Sequence, residues 1–443
     1  MQTRFLHMAD CHLGYRQYNL RERFNDFGYA FIDVIDTAIA EQVDFVLLAG
    51  DLFQKRSIDA LTLNQAMRGL ERLRAANIPC IAVEGNHEHA YYDEYIGWMK
   101  FLALRDLIIL LDPPAFKEGK PQLQAYSRRD GSYIDPKPGV RVHGLRYQGA
   151  SAARALAGYA EALAELPRDG VEYAIFLTHA GMEGVLPEEV GGLSARQLAP
   201  LRPHVDYLAL GHIHKPFERD GWVYNPGSLE TCSITEAAWP ERGYYLVDVD
   251  TRRGDGMKHT AVLRANRRRR FYHLTFKVDL HNSPDALYAN CEAYLARRAR
   301  DHGVARLGPN DRPVVVLHLS GVLPFDRSAL AIGRLEEMVR ECYNPLHVIV
   351  RNATQGNELQ VESGGAVSRP VLERQVLADL FSRDARFRPH SGRWANLALG
   401  LKALALEGAA PEAVVEELES QMAQIEQAEE PAPQVNSHAD PVG

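Results

Sequence analysis

Cysteine is scarce in this chain: its 443 residues hold five. Cys11, Cys80, Cys232, Cys291 and Cys342 are odd in number, far apart and never in C-x-x-C spacing. That excludes a disulfide framework and a zinc ribbon and leaves reduced thiols as the expectation. Long apolar runs are missing too. None approaches the ~18 residues of a membrane span, and Met1–Asp10 lacks the charged, then apolar, then small order of a secretion signal. A cytoplasmic protein with no membrane association is expected. Residues 407–443 contain no lysine or arginine but nine acids, so the formal charge of −8 belongs to that tail; residues 1–406 carry 50 bases against 49 acids. Overall acidity therefore does not exclude a nucleic-acid partner. There is no internal repeat and no low-complexity tract.

Strand-like apolar runs alternate with amphipathic stretches: Phe5–Ala9, Glu22–Gln42, Phe45–Ala49, Ile58–Ala75 and Cys80–Val83. Further strands are expected at Arg141–Leu145, Tyr173–Thr178, Tyr207–Leu210, Trp222–Asn225 and Tyr244–Val249, with a helix at Ala152–Leu166. This is an α/β reading, and one large layered domain spanning residues 1–265 is the economical assignment. After the run Arg267–Arg270 come Phe271–Leu280, Asp285–Arg300, Val314–Leu319, Ser328–Cys342 and Leu346–Arg351. Their β-α-β-α-β order suits a smaller domain over 266–355. Residues 356–430 are read as a glycine-bearing linker followed by three helices, and 431–443 as a tail too poor in apolar residues to fold.

Metal-compatible side chains follow the expected strands. Asp10 and His12 follow the first as D-x-H, Asp51 the second in AGDLF, Asn86 and His87 the third in GNHE, His179 the strand ending in THAG, and His212 and His214 the next as GHIH. Open α/β sheets place sites at the carboxyl ends of strands. A single such cluster is more often a surface or hydrogen-bonded group, but five coincidences of residue type and strand position point to metal binding. Imidazole, carboxylate and amide oxygen without thiolate suit Mn²⁺, Fe²⁺ or Zn²⁺. Seven ligands are too many for one ion, and two ions need a bridging carboxylate, which Asp51 can supply. Asp10, His12 and His214 then fall to one ion, and Asn86, His179 and His212 to the other. Such a pair supports phosphoester hydrolysis, with His87 as the natural general acid; a His87 that only hydrogen-bonds a ligand is the plainer alternative.

The order D-x-H, G-D, G-N-H-E, T-H-A-G, G-H-x-H resembles the calcineurin-like metallophosphoesterase superfamily over residues 1–250. Within it HMADCHLGYRQY, VDFVLLAGDLF, GNHE, LALGHIHKP and NPGSLE resemble the SbcD-type and meiotic-recombination-type nuclease subunits of DNA break-repair complexes. The resemblance implies an α-β-β-α layered sandwich, a smaller α/β capping domain that grips DNA, and a C-terminal helical arm that docks on an SMC-like coiled-coil ATPase. It implies two Mn²⁺ on the seven ligands, with His87 as catalytic acid. The implied activity is a nuclease on double-stranded DNA ends, a 3′–5′ exonuclease with endonuclease activity. One departure is Gln54, where many relatives have a second histidine; it can donate to phosphate but carry no proton. Leu63, Met67 and Leu70 on one helix, and Tyr92, Tyr95, Ile96, Met99 and Leu102 on another, are read either as burial against the sheet or, by the same analogy, as a homodimer contact. A phosphatase or cyclic-nucleotide phosphodiesterase and a non-catalytic scaffold are the competing readings.

Overall fold

The computed structural model describes residues 1–89, 96–186, 192–253, 257–356, 369–384, 386–406 and 408–427. They divide into two units, Met1–Gly356 and Asn357–Gly443. The first opens with β1 (Gln2–Met8), α1 (Arg21–Ala40), β2 (Phe45–Ala49), α2 (Ala60–Ala75), β3 (Cys80–Val83), α3 (Trp98–Leu104) and β4 (Ile109–Leu110). A hairpin of β5 (Phe116–Lys117) and β6 (Lys120–Pro121) leads to β7 (Tyr133–Lys137), β8 (Val140–Leu145), α4 (Ala152–Glu165), β9 (Tyr173–His179), α5 (Ala195–Leu198) and β10 (Tyr207–Gly211). Then come β11 (Phe217–Arg219), β12 (Val223–Asn225), β13 (Gly243–Asp250) and β14 (His259–Ala265).

These strands form two six-stranded sheets, ordered β14-β13-β1-β2-β3-β4 and β11-β12-β10-β9-β8-β7. Side chains alternate across each strand. Phe45 and Leu47 of β2 meet Ile175 and Leu177 of β9 in the core between the sheets, whereas Val46 and Leu48 point the other way, toward α1, α2 and α3. Phe31, Val34, Ile35 and Ala38 recur at helical spacing on α1 and fill that outer layer. Leu156, Tyr159 and Leu163 of α4 cover the second sheet's far face. The result is the expected α-β-β-α sandwich. Each fully buried Leu or Phe in it contributes ~1.5–3 kcal/mol. The strands of the two sheets that the sequence reading passed over, β4, β7, β11 and β14, are the four sheet edges: β4 and β11 are only two and three residues long, β7 carries Pro136, and β14 alternates with exposed positions. Edges tolerate all of these.

Next follow β15 (Phe271–Lys277), α6 (Pro284–Asp301), β16 (Val314–Leu323), α7 (Ile332–Tyr343) and β17 (His347–Gly356), a parallel three-stranded sheet with its own apolar core. Four expected bounds move. The first strand stops at Lys277, the second helix starts at Ile332 after a single turn at Arg327–Ala329, and the second and third strands run on to Leu323 and Gly356. The arginine run is a tied connection: Arg267 pairs with Asp311, Arg268 donates to the Pro240 carbonyl at 2.9 Å, and Arg269 grips both oxygens of Asp26.

Leu70 and Met99 are fully buried in the chain's own core, where the burial reading puts them, and Leu63 and Met67 are partly buried against it. Tyr92 and Tyr95 lie outside the described residues, as does the tail 431–443. The second unit contains α8 (Arg369–Arg383), α9 (Ser391–Leu406) and α10 (Pro411–Gln427). Phe381, Phe387 and Trp394 pack together there, while Leu372, Val376 and Leu380 are exposed along α8.

Candidate metal centre

Five parallel strands end on one edge of the sandwich, and the segments leaving them carry the site. Beyond β1 and β2 the chain stays zipped: the Asp10 amide donates to the Gly50 carbonyl at 3.2 Å, that of His12 to Asp51 at 3.0 Å and that of Leu13 to Leu52 at 2.8 Å. Asp10 (φ 52°), His12 (φ 48°), Asp51 (φ 53°) and His212 (φ 94°) all have positive φ. Non-glycine residues rarely adopt that conformation, and it concentrates where surrounding structure holds a functional geometry in place. The NPGSLE segment braces the same place, since the Leu229 amide reaches the Asp10 carbonyl and the Ser228 amide that of His214.

The seven residues converge. His179 Nε2 lies 3.3 Å from Asp51 Oδ2 and 3.0 Å from Asn86 Oδ1, and His212 Nδ1 lies 3.0 Å from Asn86 Oδ1 and 3.3 Å from His179 Nε2. His12 Nε2 and His214 Nε2 are 3.0 Å apart, each 3.9 Å from Asp10 Oδ1, and His12 Nε2 is 3.9 Å from Asp51 Oδ2. Asp51 touches both groups, and Asp10 accepts the His212 amide.

Hydrogen bonding on the far side of the rings tells which nitrogens face inward. His179 Nδ1 donates to the Ala49 carbonyl at 2.7 Å, so its Nε2 is the nitrogen turned to the Asp51 and Asn86 oxygens; burial opposes a proton there, but the Asp51 carboxylate more than reverses it and raises His179 to about 9. His214 Nδ1 donates to Glu236 Oε1 at 2.8 Å, which turns its Nε2 toward His12. A bound cation takes the place of the proton on such inward-facing nitrogens. The spacing agrees: ligands ~2.1 Å from one ion stand roughly 3.0–3.4 Å apart at octahedral or tetrahedral angles and never beyond ~4.2 Å. Asp10 and Asp51 are buried, 0% and 2% exposed, and the groups of opposite charge that reach them are imidazoles. Buried carboxylates in such surroundings are costly without a cation. Nitrogen and oxygen donors in this arrangement fit a divalent metal centre.

The electrostatics follow. Burial raises Asp10 above the usual carboxylate range. The same burial acts on Asp51, but His179 beside it more than reverses the effect and holds Asp51 low. Burial and neighbouring imidazoles push His12 well down and His212 to about 4, the neutral form that ligates. His87 is on the rim, 36% exposed, with Nε2 3.9 Å from Asp51 Oδ2; its Nδ1 donates to the Gln54 carbonyl at 2.8 Å. Gln54 thus meets His87 through its backbone. Cys11 turns away into the apolar core.

Three neighbours escaped the sequence reading. Glu236 orients His214, and its S-x-x-E spacing from Ser233 signals a capping box but not that contact. Tyr147, just past β8, sets its ring 5.9 Å from that of His179 and 5.4 Å from that of His212; the strand-end rule would have found it. Cys232 lies beside His12 and His214 with no distinguishing motif.

Residues 3–216 match the family model described as calcineurin-like phosphoesterase. The DNA double-strand break repair protein Mre11 of Archaeoglobus fulgidus is 28% identical over 258 residues, covering 53% of this chain and 52% of that protein. The protein of the same name from Methanococcus maripaludis is 30% identical, covering 55% and 63%. That from Saccharolobus solfataricus is 31% identical, covering 56% and 60%. The chain therefore spans 52–63% of the length of these relatives.

Proposed function

We propose, from the premise that residues 3–216 belong to the calcineurin-like phosphoesterase family, that this chain is a Mn²⁺-dependent nuclease processing the ends of double-stranded DNA in double-strand-break repair. It acts as a 3′–5′ exonuclease with endonuclease activity. The observation that carries the reading is the convergence of seven donors from five strand ends, with Asp51 within reach of both groups of histidines and so placed to serve as the shared carboxylate. Asp10, His12 and His214 would hold one ion and Asn86, His179 and His212 the other. When bound, such an ion pair makes water acidic enough to attack at neutral pH and neutralises phosphate oxygens.

The chain's own groups do the rest. His87, tethered through Nδ1 to the Gln54 carbonyl, turns Nε2 to the crevice and delivers the proton that the leaving alkoxide needs. The Gln54 amide orients phosphate by donation, and the Tyr147 ring walls the site beside His179 and His212. Residues 1–265 are the nuclease domain and 266–355 the part that caps DNA; Tyr18 stacked on His347, centroids 4.3 Å apart, joins them. Helices within 356–430, with Leu372, Val376 and Leu380 exposed on α8, dock on the coiled-coil base of an SMC-like ATPase. Leu63 and Met67, with Tyr95, belong to a homodimer contact backed by Leu70 and Met99. The proposed location is the cytoplasm. Among the described residues no helix is long and apolar enough to cross a membrane.

The test incubates purified chain and Mn²⁺ with linear duplex DNA, and separately with a small aryl phosphodiester, beside Asp51→Ala and His87→Gln variants. Nucleotide release from DNA ends, abolished in both variants, is expected. Turnover of the small ester alone would mark a phosphatase or phosphodiesterase, and no turnover of either a scaffold.

A further inference from the structure

Cys232 has no part in the centre described above, yet its Sγ lies within 4.8 Å of a ring nitrogen of His12 and of His214. Its thiol meets the His214 ring, whereas its donation to the Glu230 carbonyl is long, 3.8 Å. One carboxylate governs both neighbours: Glu236 Oε2 accepts the Cys232 amide at 2.9 Å, and Glu236 Oε1 accepts His214 Nδ1–H at 2.8 Å. Thiol and imidazole are thus set side by side by a single buried group.

We infer that His12, His214 and Cys232 form a nitrogen–sulfur site for a soft divalent ion, Zn²⁺ in particular, overlapping the position that the proposed function assigns to one Mn²⁺. The inference rests on that reading, because His12 and His214 are shared. Thiolate favours zinc over manganese, which prefers oxygen. Bonds of ~2.1 Å to nitrogen and ~2.3 Å to sulfur at a tetrahedral angle place N and S roughly 3.6 Å apart, inside the 4.8 Å that encloses the three donor atoms. The histidine nitrogens already stand 3.0 Å apart, and Asp10 Oδ1, 3.9 Å from each, completes four donors. As the sulfur–metal bond forms, the S–H proton passes to solvent, with no change of oxidation state. A chain so loaded has His12 and His214 committed to zinc, and the supply of soft metal sets how much of it can act with Mn²⁺.

Titration of the metal-free full-length chain with Co²⁺, an optical stand-in for Zn²⁺, reads the thiolate directly. A near-ultraviolet sulfur-to-cobalt charge-transfer band should appear with the first equivalent, vanish on adding Zn²⁺, and be missing in Cys232→Ser. The preference for Zn²⁺ over Mn²⁺ should fall at least about tenfold in that variant. Circular dichroism checks the fold, and Cys232→Ala replaces the serine variant if it misfolds. Co²⁺ binding to the wild-type chain without the band, or an undiminished band in a folded variant, overturns the thiolate site while leaving the two-ion centre standing. No Co²⁺ binding at all overturns both.

Discussion

Glu236 touches no reacting group, yet the identity of the inward-facing nitrogen of His214 depends on it. Its Oε1 accepts His214 Nδ1–H at 2.8 Å, and its Oε2 accepts from Ser228 and from the Cys232 amide. Glu236→Gln keeps the shape and removes the charge. Mn²⁺ affinity, followed by titration calorimetry, should fall about 10–100-fold, the usual loss when a ligand's outer partner is altered. His7 concerns stability instead. It is fully buried between the sheets; its Nε2 donates to the Leu210 carbonyl and its Nδ1 accepts from the Tyr207 hydroxyl, both at 3.0 Å. Burial lowers it from 6.5 to about 3. A depressed histidine leaves the folded state intact above the unfolded value of 6.5 and withdraws stability as pH falls from 6.5 toward 3, by about 1.4 kcal/mol per pH unit. Thermal midpoints should decline across pH 6.5 to 4, and His7→Gln should flatten that decline.

The turns leaving the strands carry the geometry, and two glycines show how little room they have. A Cβ on Gly85 would stand 2.0 Å from Asp51 Oδ1 and 2.5 Å from the Asp51 nitrogen. Gly50, at φ +82°, places the same clash 2.5 Å from His179 Nδ1. In Gly85→Ala the backbone beyond β3 must shift or the Asp51 carboxylate, the proposed shared ligand, must move. Metal binding should weaken by about 100-fold or more with circular dichroism unchanged, since a displacement of one ångström in a preorganised site costs about that much. Helices contribute differently. The Asp59 carboxylate caps α2 by accepting the Thr62 amide at 2.8 Å, and Leu70 on that helix belongs to the core. The spacing of Leu63, Met67 and Leu70 therefore marks a face that begins at the surface and ends inside the fold.

Across the first unit the sandwich and the three-stranded sheet are joined by buried charge. Arg23, 0% exposed, binds Asp26 at 2.6 Å and Glu230 at 3.2 Å; Arg269, from the connecting run, holds Asp26 at 2.5 and 2.8 Å. Asp26→Ala leaves two guanidiniums facing each other without their shared partner. Breaking a buried pair in this way costs about 3–5 kcal/mol, so the denaturant midpoint should drop accordingly.

Much was readable in the linear order of residues. Strand alternation and helical spacing located most of the first two layers, because period two and period 3.6 are local consequences of burial on one face. The D-x-H, G-D, G-N-H-E, T-H-A-G and G-H-x-H clusters marked the seven converging residues, since each follows a strand whose end is itself legible. Long-range contacts were not readable: Glu236 on His214, Tyr147 beside His179 and His212, Cys232 near His12, and Arg269 turned onto Asp26 instead of outward. Which imidazole nitrogen faces inward, and whether a thiol or an arginine meets water, depends on partners brought close by folding, and spacing along a chain carries no record of that proximity.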